Sequence, residues 1–308
     1  VKALAFLLTA AISAAAITYS YDSAGRLTKV DYGNGSVTTY TYDKNGNLLS
    51  RSTQNGSTTP TITSVTTAFA SSDIAQNTYI VIKGNNLVPA STPASGVIWS
   101  DAPEFASGKM PTVLHGIGVA VNNQPAFVYF FCSAATNPAC AQDQINALTP
   151  LDSTTGSVPV VVTNNGTASA PFTANMKTIV PSFLQFSTAG YVVATHANGS
   201  LLGPTTLFPG STTPAKPNEP VVVYGVGWGL PSNTLTNGSS SQSGSLTPLP
   251  VCQIGNNAAA VAFAGLIGPG LYQFNLTIPA GTPDGDVAIK CTYNGAATPG
   301  GNLITVHQ

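Results

Sequence analysis

Short runs of β-branched and aromatic residues recur along the chain, each bounded by turn-forming residues. Val158-Pro-Val-Val-Val-Thr163, followed by Asn164-Asn-Gly-Thr167, reads as a strand entering a hairpin turn. Val251–Ile254 and Val287–Tyr293 read as two further strands, and Asn-Gly and Gly-Pro pairs punctuate the intervals. Apart from an apolar run at the amino terminus, no stretch keeps the helical period for a useful length. The pattern predicts an all-β protein.

Two internal duplications organise it. Near the start, Tyr19-Ser-Tyr-Asp22-Ser-Ala-Gly25-Arg-Leu27 returns as Tyr40-Thr-Tyr-Asp43-Lys-Asn-Gly46-Asn-Leu48, a period of 21 residues. Alternating Tyr and Thr favour strands, and Asp-x-x-Gly and Tyr32-Gly-Asn-Gly35 supply tight turns. Residues 17–53 therefore read as a ribbon of β-hairpins, followed by a polar linker at 54–60. Farther on, Tyr79-Ile-Val-Ile-Lys-Gly84 matches Val221-Val-Val-Tyr-Gly225, and Val119–Val128 matches Cys252–Val261. Gln144-Ile-Asn146 matches Gln273-Phe-Asn275, and Asn165-Gly166 matches Asn294-Gly295, both at an offset of 129. Two β-sandwich modules of immunoglobulin type are expected, 61–177 and 178–308, with Asn123 over Asn257 and Gly166 over Gly295.

Composition narrows the function. Only 7% of the 308 residues are charged and the net charge is −1; an average soluble domain carries about 25%. A nucleic-acid binder needs a basic footprint that is absent here. The 43% apolar content is enough for a sizeable core. A surface so poor in charge has little colloidal repulsion and tolerates contact with copies of itself. Lys2 followed by the uncharged run 3–16 fits either a secretory signal or a retained apolar segment. The run is short of the roughly 20 residues of a stable membrane span. Four cysteines, an even number, then point to disulfides in an exported chain, paired Cys132–Cys140 and Cys252–Cys291. A metal site is the rival reading, but no C-x-x-C occurs and no His lies nearby in sequence.

The Y-x-Y-D-x-x-G-[RN]-L pattern resembles the YD repeat of Rhs proteins, teneurins and related bacterial cell-surface proteins. In those families many repeats wind into a large β shell. Two cannot close one, so the resemblance implies a ribbon that docks either on its own downstream module or on another molecule. In the last module, Val180-Pro-Ser-Phe183, Ala197-Asn-Gly-Ser200, Pro220-Val-Val-Val-Tyr-Gly-Val-Gly-Trp-Gly229 and Gly270–Gly281 resemble an uncharacterised carboxy-terminal domain of secreted proteins from Solibacter-like acidobacteria. That domain is similar to the IPT/TIG immunoglobulin-like domains. The resemblance implies export and a β-sandwich, and it transfers no catalytic residue.

Candidate chemistry is sparse. His115, His196 and His307 fall in no ligand spacing, and no G-x-S-x-G elbow occurs. Glu104 and Glu219 are the two glutamates, and nothing local brings them together for glycosidase work. Asp284-Gly-Asp286 hints at Ca²⁺ but reads better as a hairpin turn. Trp99, Trp228, Tyr129, Phe130 and Phe131 offer the makings of a sugar-stacking platform, although core packing is the commoner use of such rings. Sequons such as those at Asn165, Asn198 and Asn237 mark surface loops, and Asn233–Ser245 reads as a long, mobile, polar loop.

The chain is expected to be a non-enzymatic protein of the cell exterior or cell surface, without cofactor or metal. Its expected role is a pilus-like filament subunit or a surface adhesin, joined to copies of itself by β-strand complementation. The assembly residues would be Leu4, Phe6, Leu7, Leu8, Tyr19, Tyr21, Tyr40 and Tyr42. The alternative is a carbohydrate-binding accessory protein of the cell surface, with polysaccharide as partner.

Overall fold

The computed structural model describes residues 17–32, 36–54, 59–68, 71–106, 108–186 and 189–308. Among them nearly all regular structure is strand, and the helical element is a single 3-10 turn at Trp99–Asp101. The Tyr/Thr alternation at the start builds an antiparallel meander of β1 (Thr18–Tyr21), β2 (Leu27–Asp31), β3 (Val37–Tyr42) and β4 (Leu48–Gln54), in that spatial order. The run 1–16, with Leu4, Phe6, Leu7 and Leu8, lies outside the described residues, as do 33–35 of an expected turn and 55–58 of the linker.

The chain then forms β5 (Thr61–Thr67), β6 (Asp73–Ala75), β7 (Tyr79–Asn85), β8 (Val97–Ile98), β9 (Val113–Leu114) and β10 (Ile117–Val121). These are followed by β11 (Gln124–Pro125), β12 (Phe127–Cys132), β13 (Asp143–Leu148), β14 (Gly156–Asn164), β15 (Thr167–Ala168) and β16 (Phe172–Lys177). One sheet runs β5-β7-β13-β12-β8 and the other β11-β10-β14-β16-β6. Each strand alternates its residues between the two faces. Thus Ile117, Val119 and Val121 of β10 are buried while Gly118 and Ala120 turn outward. The inward set, with Ile80, Ile82, Ile145, Val160 and Val162, makes one core.

A second, separate core belongs to the remaining strands. They are β17 (Ser182–Phe183), β18 (Ala194–His196), β19 (Leu201–Leu202), β20 (Thr212–Thr213), β21 (Pro220–Val226) and β22 (Gly244–Ser245). β23 (Val251–Ile254), β24 (Asn257–Gly268), β25 (Leu271–Thr277), β26 (Gly285–Tyr293), β27 (Ala296–Ala297) and β28 (Leu303–Val306) complete them. The pairing β21-β25-β24 follows β7-β13-β12, and β23-β26-β28 follows β10-β14-β16. The two halves differ where the chain changes sheet. In the second, the long β24 pairs with β23 through Asn257–Ala259 and with β25 from Ala260 onward. In the first, β11 and β12 divide that course on either side of Ala126. The architecture is all-β, a hairpin ribbon followed by two immunoglobulin-like sandwiches.

Turn register checks the duplication residue by residue. Asn165-Gly166 and Asn294-Gly295 occupy equivalent turns, with φ of 46° and 85° in one and 45° and 80° in the other. The Asn123–Asn257 equivalence needs correction. Asn122-Asn123 bridges Val121 and Gln124, whereas Gly255-Asn256 bridges Ile254 and Asn257. Asn123 therefore corresponds to Asn256. Two asparagines stand side by side in the second half, and the turn alone tells them apart.

Both disulfides form, Cys132–Cys140 and Cys252–Cys291. The second joins directly opposed residues of β23 and β26, where the first half sets Val119 opposite Val162. The segment Asn233–Ser245 is not the free loop expected. Gly238 O accepts from Met110 N at 2.8 Å, Ser240 N donates to Gly108 O at 2.8 Å, and Asn237 Oδ1 accepts from Leu151 N at 3.3 Å. The second sandwich thereby docks a loop on the first, and the Asn237 side chain is used in that contact.

Candidate assembly surface

The ribbon shows what each letter of its repeat does. Asp22 follows β1, and its Oδ1 accepts from the N–H groups of Ala24 and Arg26, both at 2.9 Å. Asp43 repeats this with Asn45 and Asn47 at 2.9 and 2.8 Å. The second carboxylate oxygen takes the Arg26 Nε at 2.7 Å in one copy and the Asn47 Nδ2 at 2.9 Å in the other. Gly25 and Gly46 follow at φ of 77° and 90°, where a side chain is strained. Asp nucleates the turn, Gly closes it and Arg or Asn clamps the Asp. Arg26 also donates to Asp43 O at 3.1 Å and lies over the Tyr42 ring at 4.9 Å, tying the two hairpins together.

These contacts shift both carboxyls. The Arg26 N–H holds Asp22 below the usual aspartate range, and the Asn47 side chain does the same for Asp43. A depressed folded value means stabilisation that is complete above the ordinary value of 3.8 and is lost as pH falls through the lower folded one. Amide hydrogens of the two turns are therefore expected to lose protection below about pH 4, after correction for intrinsic exchange, while those of β13 and β25 keep theirs. Hydrogen-exchange mass spectrometry at pH 6 and pH 3 checks this; equal protection at both would refute the turn chemistry.

The sequence singled out four ribbon tyrosines, and the fold separates them. Tyr19 and Tyr21 lie on edge strand β1, 56% and 61% exposed. Tyr40 and Tyr42 lie on the inner strand β3, partly covered, and the Tyr42 hydroxyl donates to Leu27 O at 2.9 Å. The opposite edge, β4, exposes Leu48 and Leu49, which sequence reasoning missed although the repeat had placed Leu48 on Leu27. Val30 and Thr38, directly opposed, are the ribbon's buried positions among the described residues. Each ribbon strand packs chiefly on its ribbon neighbours. β1 pairs with β2 alone and β4 with β3 alone among the described strands, leaving an open edge at each side. An open edge of this kind is a template for another strand.

The other candidates resolve differently. Trp228, Phe131 and Trp99 are buried in the sandwich cores, and Tyr129 packs edge-on against Trp99 at 4.9 Å. Of the rings set out as a sugar platform, Trp99, Phe131 and Trp228 are thus core residues, Tyr129 packs partly buried against the first core, and Phe130 is half-buried on β12. Each histidine meets one carboxylate: His115 lies 3.8 Å from Glu104, His196 2.5 Å from Glu219 and His307 3.0 Å from Asp284. The His196 Nε2 also lies 2.9 Å from the Thr213 hydroxyl, giving a hydroxyl–imidazole–carboxylate order. That nitrogen faces the Thr213 carbonyl at 3.1 Å as well, so the ring, held between Glu219 and Thr213, pins β18 to β20. Asp286 accepts from Thr305 Oγ1 at 2.6 Å and from Tyr191 Oη at 2.7 Å, partners that tie β26 to its neighbours. An open groove of about 550 Å³ over β10 is lined by Thr112, Gly118, Ala120, Asn123, Pro125 and Asn165 among others, none of them charged or aromatic.

No curated protein matches the chain. Solved structures that match include the SGBP-B of a mixed-linkage glucan utilization locus of Bacteroides ovatus, in complex with a mixed-linkage heptasaccharide. It is 11% identical at a TM-score of 0.33 over 98% of this chain and 66% of that one. The plexin A4 full extracellular region matches at 12% identity and a TM-score of 0.24, over 81% of this chain and 16% of that one. An SGBP-B from a complex xyloglucan utilization locus in Bacteroides uniformis matches at 14% and 0.22, over 80% and 49%. The chain spans less than two thirds of the length of each of these proteins. The RHS Repeat family model matches residues 21–58, so the ribbon carries an RHS repeat.

Proposed function

We propose that this is a non-enzymatic structural protein of the cell exterior whose copies join through the amino-terminal ribbon by β-strand addition, as a filament subunit or a surface adhesin. The observation that carries the reading is a sheet with two edges open among the described strands, exposed Tyr19 and Tyr21 on one and Leu48 and Leu49 on the other. An added strand satisfies the unpaired backbone groups and covers apolar surface at the same time. Two disulfides support an oxidising location. The near absence of charge lowers the repulsion between copies.

Deleting residues 1–53 tests it. The full chain is expected to form elongated particles by negative-stain microscopy and light scattering, and the truncated chain a monodisperse monomer that keeps both sandwiches. A truncated protein that still assembles, or a full chain that stays monomeric at high concentration, overturns the reading. A monomer that instead binds surface polysaccharide would support the carbohydrate-binding alternative.

A further inference from the structure

The ribbon repeats in three dimensions as closely as in sequence. β1 pairs with β2 through Thr18–Asp31, Tyr19–Val30, Ser20–Lys29 and Tyr21–Leu27. Adding 21 to each number gives the β3–β4 pairs Thr39–Ser52, Tyr40–Arg51, Thr41–Ser50 and Tyr42–Leu48. The irregularity falls at the same place, Ser20/Tyr21 in one hairpin and Thr41/Tyr42 in the other. Each hairpin is one unit, and β2–β3 is the seam between units. Across that seam Lys29 faces Thr39 and Val30 faces Thr38.

From this we infer that β4 of one copy pairs with β1 of the next in the register of the β2–β3 seam. The inference deepens the assembly reading and rests on it. β4 repeats β2 and β1 repeats β3, so the open edges are the two sides of an unmade seam. Shifting the internal pairs by 21 sets Ser50 of one copy opposite Thr18 of the next, and Arg51 opposite Ile17. The exposed side chains fit this register. Inside the ribbon, the hydroxyl of Tyr42 crosses the seam to Leu27 O. Their counterparts at the open edges are Tyr21 and Leu48, 61% and 54% exposed. Placed across the new seam, the Tyr21 hydroxyl donates to Leu48 O, and both side chains gain the cover that Tyr42 and Leu27 already have. The contact uses different surfaces on its two partners, so it propagates from copy to copy unless the rotation closes a ring.

Cross-linking in the full-length chain decides it. β1 and β4 are three strand spacings apart, roughly 14 Å, well beyond the Cα separation of about 7 Å that a disulfide spans. A bond between them must therefore join two copies. The in-register pairs are Thr18→Cys with Ser50→Cys, and Ile17→Cys with Arg51→Cys. Adjacent pairs alternate between hydrogen-bonded and closer non-hydrogen-bonded types, so one of the two suits a disulfide. Ser20→Cys with Ser50→Cys is the out-of-register control. Mild oxidation of assembled protein is expected to give a ladder of covalent multimers from at least one in-register pair and little beyond monomer from the control. Assembled protein with no ladder from either pair, or with an equal ladder from the control, overturns the register and leaves the assembly reading standing. A chain shown by light scattering to be monomeric removes both.

Discussion

Trp228→Ala is expected to destabilise the second sandwich by about 3–5 kcal/mol, the range for deleting a large aromatic from a core. Trp228 is fully buried, with its ring centroid 4.5 Å from Phe274, 5.7 Å from Phe183 and 6.4 Å from Tyr293. Its Nε1 donates to Ser182 O at 3.3 Å, so removal leaves a cavity and a buried carbonyl without that partner. The site is shaped for this ring. Gly227 has a φ of 77°, and a Cβ there would stand 2.0 Å from Val180 O, so the turn beside Trp228 accepts no other residue without strain. Urea unfolding followed by circular dichroism should show part of the β signal lost at lower denaturant. Trp99, in the other core, should report a transition changed much less. A loss below about 1 kcal/mol would contradict the role given to Trp228.

Removal of the Cys252–Cys291 bond should cost about 4 kcal/mol by chain entropy, since its loop spans 39 residues. The duplication suggests a clean replacement. Val119 and Val162 stand opposite one another at the equivalent place in the first sandwich. Cys252→Val with Cys291→Val thus keeps an apolar cross-strand pair and isolates the effect of the covalent link. The Cys132–Cys140 bond closes a loop of 8 residues, and its loss should cost less, about 2.5 kcal/mol. Urea midpoints of the two double variants under oxidising conditions give the comparison. A valine pair as stable as the parent, or a reversed order between the two bonds, would show that chain entropy is not what these bonds supply.

Local signals in the chain were legible. Asp-x-x-Gly marked the two ribbon turns, Asn-Gly marked the hairpins after β14 and β26, and the even cysteines marked both disulfides. What depends on distant parts of the chain was not. Tyr21 and Tyr42 carry the same motif, yet one is exposed and the other bonded across a seam, because only their order in the sheet differs. The burial of Trp99 and Trp228 follows from which way strands and turns face after the sheets pack. His196 and Glu219 meet at 2.5 Å across 23 residues of intervening chain, with no local pattern to announce it. The docking of Asn237–Ser240 on the first sandwich is likewise a product of the two folded halves meeting, and a polar loop sequence reads the same whether it docks or not.

That docked loop changes the mechanics of the chain. Lys177–Pro181 is the covalent crossing between the sandwiches, and the backbone bonds of Met110 to Gly238 and of Ser240 to Gly108 add a second crossing. A single tether leaves two bodies free to swivel about it, whereas a second attachment resists bending until its bonds give way. Under flow or a pull at the carboxy-terminal end, the two sandwiches act together as one lever arm. The load then reaches the ribbon as torque.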